Sequence, residues 1–402
     1  MAIIPILIGN SSATITFHAY QAYGEQLEMY DGTVNPLSVE GREGMAGVSI
    51  GDYALFAGGY TYPSHYNRVD VYNSDLTKGS NKALSQAKSY VAGAKNDNYA
   101  MIAGGYNDNG ALKTVNAFDS ELVRTNATGL QTERQMICGI SFGQYAIFAG
   151  GHKSNYYTSD ADIYDENMTR IIMGFASASL HMGTANQSYA IIAGSIGGNH
   201  SDNSVTGINE DLTIVSVPNM SSLRANAVCA TAGNYMICAG GTYWNGNSGS
   251  GLLTVDAYDN ALTRTRAPNL KNGVSEYGSI SFGNYALFKN GYTEESIDTY
   301  DADLKRTNLP LPWPSSYYKN KFAGAAVGKY AIFAGGTGVF MSNSLCVYGL
   351  VPVPVNTIIS IPPNAEYQFD GDVQRTSLLT EITLPNPATG YVKIKNASIS
   401  GA

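Results

Sequence analysis

Helical periodicity appears nowhere in this chain, and no apolar run reaches the roughly 18 residues that a membrane-spanning helix needs. Charge is scarce: Asp, Glu, Lys and Arg make up 14% of the residues, against about 25% in ordinary globular domains. What charge there is sums to −8, which argues against a binder of duplex nucleic acid, since that task needs a basic face. The histidines, His18, His65, His152, His181 and His200, show no metal-ligand spacing such as H-E-x-x-H, so neither metal nor cofactor is expected. Cys138, Cys229, Cys238 and Cys346 lack metal-like spacing too. All four fall in expected strands, where a buried free thiol packs as a small hydrophobe. The start, Met1-Ala-Ile-Ile-Pro-Ile-Leu-Ile-Gly-Asn10, has no basic region and no small-residue cleavage site, so it does not read as a signal peptide.

What the chain has instead is glycine (44), tyrosine (29) and a repeat. Tyr145-Ala-Ile-Phe-Ala-Gly-Gly151 returns unchanged as Tyr330-Ala-Ile-Phe-Ala-Gly-Gly336. Near-copies begin at Tyr53, Tyr99 and Tyr235, and worn ones at Tyr189 and Tyr285. The seven tyrosines are 44 to 50 residues apart, a period that marks a repeat architecture. With 44% of the residues apolar, the composition is not that of a disordered chain.

Each unit reads as four strands. The first is built of small and β-branched residues, as in Met45-Ala-Gly-Val-Ser-Ile50, and suits the crowded position nearest an axis. A two-residue turn follows: Gly51-Asp52, Gly143-Gln144, Gly233-Asn234, Gly283-Asn284 or Gly328-Lys329. Gly at its first place predicts a type II′ hairpin. The second strand, Tyr-Ala-Leu-Phe-Ala, is an unbroken apolar run, predicting cover on both faces. The third alternates, as in Val69-Asp-Val-Tyr72, Ala161-Asp-Ile-Tyr164, Val255-Asp-Ala-Tyr258 and Ile297-Asp-Thr-Tyr300. An Asp-x-x-Leu turn comes next, where Asp favours a type I turn through its side chain. The fourth strand opens Thr-Arg or similar. Seven such units predict an all-β, seven-bladed β-propeller.

Gly-Gly after an apolar run, with a Tyr some 13 residues on (as from Gly59 to Tyr72), resembles the kelch repeat. The resemblance covers roughly Leu27 to Leu350 and departs in the fourth strand, where Arg or Thr stands in place of Trp. It implies fold more than function, because kelch propellers serve both enzymes and binding scaffolds.

The last copy stops after its third strand, Leu345-Cys-Val-Tyr-Gly-Leu350. Aligning Leu37-Ser38 on Leu84-Ser85 puts Met29–Asn35 in the missing fourth place, so the N-terminal segment is expected to close the ring. Tyr30-Asp31 also mimics the third-strand motif, which would make an eighth, partial blade. The propeller is expected over residues 27–350, flanked by an N-terminal β arm (1–26) and a C-terminal β extension (351–402). In the flanks, Ala13–Tyr20, Thr357–Ile361, Ser377–Leu384 and Tyr391–Lys395 read as strands of one small β-module.

Two sets of residues suggest binding. The loops after the second strands carry Tyr60, Tyr62, His65, Tyr66, Tyr106, Asn107, Asp108, His152, Tyr156, Tyr157, His200, Tyr243, Trp244, Asn245, Tyr292, Glu294 and Glu295. Rings with polar handles among amides suit a sugar, though such rings also simply pack over neighbouring loops. The second set stands eleven residues before each blade tyrosine: Arg42, Lys88, Arg134, Ala178, Arg224, Val274 and Lys319. Five of these seven are basic. By symmetry they would ring the channel mouth and attract carboxylates, phosphates or sulfates, with Ala178 and Val274 opening one side. The alternative is structural: Arg here bonds carbonyls of the adjoining blade.

No catalytic constellation stands out. The Ser-x-Asp-x-Gly-x-Thr-Trp boxes of sialidase propellers are absent, and no Cys lies in an expected loop to form a copper-site crosslink. Across the Gly233-Asn234 turn, Cys229 and Cys238 fall opposite each other at a non-hydrogen-bonded pair, which permits a disulfide in an oxidising setting. The expected function is non-catalytic recognition of a cell-surface glycan or another polyanionic polymer. The Gly/Asn/Tyr-rich composition and β-rich ends resemble phage or prophage tail-associated proteins, with the terminal extension serving a virion or cell-surface partner. Such a protein would be virion-associated, or cytoplasmic before release. The alternatives are an epimerase-like enzyme on acidic sugars and a protein-binding scaffold.

Overall fold

The computed structural model describes residues 2–8, 13–20, 22–38, 41–153, 156–175, 182–194, 202–244, 249–271, 278–289, 296–311, 320–337, 345–355, 357–361, 366–369, 372–375, 380–384, 388–395 and 397–399. Seven four-stranded sheets form a ring, a seven-bladed β-propeller. Blade 3 shows the plan: Cys138–Phe142, Tyr145–Ala149, Asp160–Tyr164 and Arg170–Gly174, each antiparallel to the next. Each inner strand touches the next, and Asn320–Val327 of blade 7 touches Ala46–Ile50 of blade 1.

Crowding at the axis explains the small residues of the inner strands. A Cβ on Gly47 would overlap the carbonyl of Gly324, and one on Gly139 the carbonyl of Gly93. The hairpin glycines solve a different problem. Gly51, Gly143, Gly233, Gly283 and Gly328 have φ between +51° and +57°, while the residues after them do not have positive φ, as a type II′ turn requires. In blades 2 and 4 an Asn replaces this device: Asn96 Oδ1 accepts from the backbone N of Asn98 and Tyr99, and Asn186 Oδ1 from Ser188 and Tyr189.

The second strands are buried on both faces, because each contributes to two interblade cores. Phe56 and Ala54 pack with Ala323, Ala325 and Ile332 of blade 7, while Leu55 and Ala57 pack with Ala100 and Ile102 of blade 2. A fully buried Phe contributes about 2 kcal/mol. The alternation in the third strands does not mark a solvent face: Asp70, Asp162, Asp256 and Asp298 are buried along with their apolar neighbours. The third-strand tyrosines staple the segments that lead from blade to blade: Tyr72, Tyr164, Tyr300 and Tyr348 donate to the carbonyls of Asn35, Thr128, Pro268 and Pro310.

The Asp-x-x-Leu turn holds more than the expected Asp contacts. Asp119 Oδ1 accepts from Glu121 and Val123 N, and Leu122 itself is left-handed at φ 61°. Leu76, Met168, Leu212, Leu262 and Leu304 repeat this, at about 1 kcal/mol of backbone strain each.

The ring is closed by an N-terminal strand, but an earlier one than the alignment suggests. Ala22–Met29 is the strand beside Leu345–Val355 in the blade 7 sheet, and of the expected Met29–Asn35 only Met29 lies in a strand, while Tyr30 and Val34 pack on the core of blade 7. The Leu37-Ser38 alignment was sound, since Leu37 and Leu84 are both buried at equivalent places. Residues 30–36 form a longer crossing than in other blades. It is anchored by Tyr30 N donating to Val347 O and by the Tyr30 ring edge-on to Tyr330 at 5.3 Å.

By contacts the chain divides into Met29–Gly349 and a second unit made of Met1–Glu28 and Leu350–Ala402. The second unit holds two four-stranded sheets, each combining both chain ends. Ala2–Ile8 lies between Thr357–Ile361, parallel to it, and Ala397–Ile399. Ala13–Tyr20 pairs with Ala388–Lys395.

The cysteines differ from the expectation of four free thiols. Cys229 and Cys238 face each other in register, with Cα atoms 4.2 Å apart, and are bonded. That separation is the close approach of a non-hydrogen-bonded pair. Cys138 and Cys346 are buried and form no disulfide. Alkylation of the denatured, unreduced protein should therefore label two cysteines by mass and four after reduction; four labels without reduction would refute the bond. Deleting residues 1–38 should abolish cooperative unfolding at the wild-type temperature, because it leaves blade 7 without its fourth strand; an unchanged melting curve would defeat the closure.

Candidate functional site

The segments that enter the inner strands cross from one blade to the next, and their described cations do not gather at the channel mouth. Arg42, Lys88, Arg134 and Arg224 are all buried inside the ring. Each guanidinium turns into its own blade. Arg134 donates to the carbonyls of Phe148 (3.1 Å) and Asp160 (2.9 Å) and pairs with Asp162. Arg224 donates to Thr254 O at 2.9 Å and Asp256 Oδ2 at 2.6 Å. Arg42 donates to Gly58 O at 2.7 Å and pairs with Asp70. The main chain of the same residues reaches the preceding blade: the carbonyls of Lys88, Arg134 and Arg42 accept from Gly59, Gly105 and Gly336 N. The crossing segment therefore belongs to two blades at once.

The carboxylates receive a second clamp. Ser38 donates to Asp70 from both its N and its Oγ, and Ser221 does the same to Asp256. Burial pushes the Asp70 carboxyl up, but Arg42, Ser38 and Lys78 together hold it below the usual carboxylate range. A signal for this was present in the sequence. The residues paired across from the fourth residue of each second strand are Asp70, Asn116, Asp162, Thr206, Asp256, Asp298 and Cys346. Arg occurs only in blades whose partner is Asp, while Lys88 goes with Asn116 and Ala178 with Thr206. Ala178, Val274 and Lys319 themselves lie outside the described residues.

Among the described residues, Lys88 meets no carboxylate. Its ammonium donates to Ile102 O at 3.3 Å and Thr114 O at 3.1 Å, and burial lowers its pKa to about 7.

Above these buried pairs, the segments expected to be loops form short hairpins on one face. They are Tyr60–Thr61 with Ser64–His65, Tyr106–Asn107 with Gly110–Ala111, His152–Lys153 with Tyr156–Tyr157, and Thr242–Trp244 with Gly249–Gly251. Each is tied to its blade's entering segment through a bridge: Glu43–Tyr60, Ser89–Tyr106, Gln135–His152 and Ala225–Thr242. These hairpins aim several rings at solvent. Tyr62 is 80% exposed, and Tyr106, Tyr157 and Tyr243 are 37–43% exposed. Tyr60 and His152 are half-buried, with Tyr60 at 4.8 Å from the His65 ring and His152 at 5.7 Å from Tyr157. Trp244 belongs to its hairpin, but its side chain lies outside the described residues, as do Tyr292, His200, Asn245, Glu294 and Glu295.

Between blades 1 and 2 the rim gathers polar groups as well. His65 stands 6.0 Å from the Tyr106 ring, its Nδ1 3.1 Å from Ser89 Oγ and its Nε2 3.5 Å from Asp108 Oδ1. Ser-His-Asp is the composition of a nucleophilic triad, but the burial is inverted: Ser89 is enclosed and Asp108 stands in water. A nucleophile must be reachable, so the arrangement positions the imidazole rather than activating the serine. Among the described residues, no group of three or more His, Cys, Asp or Glu is placed to hold a metal ion. No family model matches the chain, and no curated protein matches it either.

The buried ammonium makes stability depend on pH. Between about pH 7 and the ordinary lysine value, the unfolded chain binds a proton that the folded chain has released, so stability should rise with pH by up to about 1.4 kcal/mol per unit. Lys88→Met should flatten that slope in urea unfolding between about pH 7.5 and 9.5; an identical slope in both proteins would show that Lys88 is not the titrating group.

Proposed function

We propose that this chain is a kelch-like, non-catalytic recognition propeller that binds a cell-surface glycan on its hairpin rim. The observation that carries the proposal is the row of exposed tyrosines, Tyr62, Tyr106, Tyr157 and Tyr243, raised on short hairpins over one face. Rigid rings with hydroxyls stack on sugar faces at little entropic cost, and the exposed carboxylate of Asp108 beside them supplies a hydrogen-bond acceptor. The described members of the basic set are engaged inside the blades, so on this rim a neutral glycan is a better ligand than a polyanion. The same fact weakens the reading as an enzyme on acidic sugars. The glycine- and tyrosine-rich composition supports a phage or prophage tail-associated origin, with the terminal β unit engaging a virion or cell-surface protein.

A glycan array should show binding by the intact protein and a loss of roughly thirtyfold in a Tyr106→Ala/Tyr243→Ala double variant, two stacking contacts of about 1 kcal/mol each. Both rings are exposed, so folding should be preserved. Binding untouched by the double substitution, or no glycan bound at all, would overturn the proposal; the second result would point to a protein scaffold.

A further inference from the structure

The axial channel has a cavity of about 420 Å³, lined by residues from all seven inner strands. Its lining includes Ser49, Lys95, Ser141 and Ser281, residues four places before the blade tyrosines and so near the inner hairpin turns. This is the end of the channel away from the aromatic rim. We propose that it is a binding site for one small oxyanion, a carboxylate or a phosphate, with Lys95 supplying the charge.

The chemistry of the lining points one way. Among the described residues of the lining, Lys95 is the only charged one and none is Asp or Glu, although the chain as a whole has 32 acids and 24 bases. Its side chain is exposed, and among the described residues its ammonium has no ion-pair partner. An ammonium has three donors and no acceptor. Two hydroxyls add to it. Ser141 Oγ accepts from the backbone N of Lys95 itself at 2.9 Å, and Ser281 Oγ accepts from Thr231 N at 2.9 Å. In each case the neighbouring strand occupies a lone pair, while the O–H proton remains to be donated. Ser49 is spent otherwise, donating to Ala326 O. The unspent groups are therefore donors beside a single positive charge, which complements an oxyanion. Ser141 and Lys95 adjoin, so one anionic group can meet both.

The test is calorimetric titration of the whole protein with sodium phosphate, sodium glucuronate and glucose, in chloride buffer of matched ionic strength. Saturable binding of phosphate or glucuronate is expected. Phosphate alone would identify an inorganic or phosphoryl ligand, and glucuronate alone a sugar acid. Lys95→Gln should weaken binding at least about tenfold, the weight of a hydrogen bond to a charged group, and Lys95→Arg should retain it. Should Lys95→Gln disturb the circular dichroism spectrum, the fall of wild-type affinity with added salt reads the same charge. No saturable binding of either anion, equal binding by Lys95→Gln, salt-independent binding, or glucose binding as tightly as glucuronate would overturn the proposal. The rim variant Tyr106→Ala/Tyr243→Ala should leave anion binding unchanged, which separates this site from the glycan site.

Discussion

Arg42, Arg134 and Arg224 each bury a guanidinium against an aspartate of the same blade, while their main chains join the preceding blade. A blade is a small sheet that cannot hide its own faces, and the ring exists only if each sheet is held at a fixed angle to the next. Apolar packing is non-directional and allows sliding. Charge-assisted hydrogen bonds to fixed carbonyls are directional and do not. Taking both charges out of water costs several kcal/mol per ion, and the pair is tolerable only because Ser38, Ser221 or Gln131 fills the remaining carboxylate positions. Where an aspartate is missing, the arginine is missing too.

That arrangement decides which residues are left for binding. Charge placed between the blades is unavailable to a ligand, so the groups left on the described rim are mainly rings and amides. The fourth strands behave alike: Arg264 and Arg306 reach back to the carbonyls of Asn219 and Asn269. Among the described residues, Lys95 is the one cation lining the channel cavity, while Arg42, Lys88, Arg134 and Arg224 are engaged inside the blades. The two faces of the propeller thus carry different chemistry, aromatic at the hairpin rim and donor-rich toward the inner turns.

The period of the tyrosines, the Gly-first turns and the doubly apolar second strands were legible without coordinates, because each follows from local backbone chemistry repeated seven times. The pairing of Cys229 with Cys238 was legible as an option for the same reason, since a two-residue turn sets the register. The closing strand was legible in kind but not in place: the crossing after it is longer than in other blades, and nothing local in residues 30–36 announces that. The basic set was legible as a set. Its direction was not, since a side chain eleven residues before a tyrosine can point to the mouth or into the blade with the same sequence.

By itself, then, the amino-acid order determined the number of blades, their strand order and the residues at their turns, because these depend on neighbours within a few positions. Only the tertiary structure decided that the arginines face aspartates about 28 residues away, that loop tyrosines stand on hairpins, and that Lys95 lines the channel without a described acid beside it. Those outcomes depend on which groups remain unpartnered once the sheets have closed, and that is a property of the assembled ring rather than of any stretch of it.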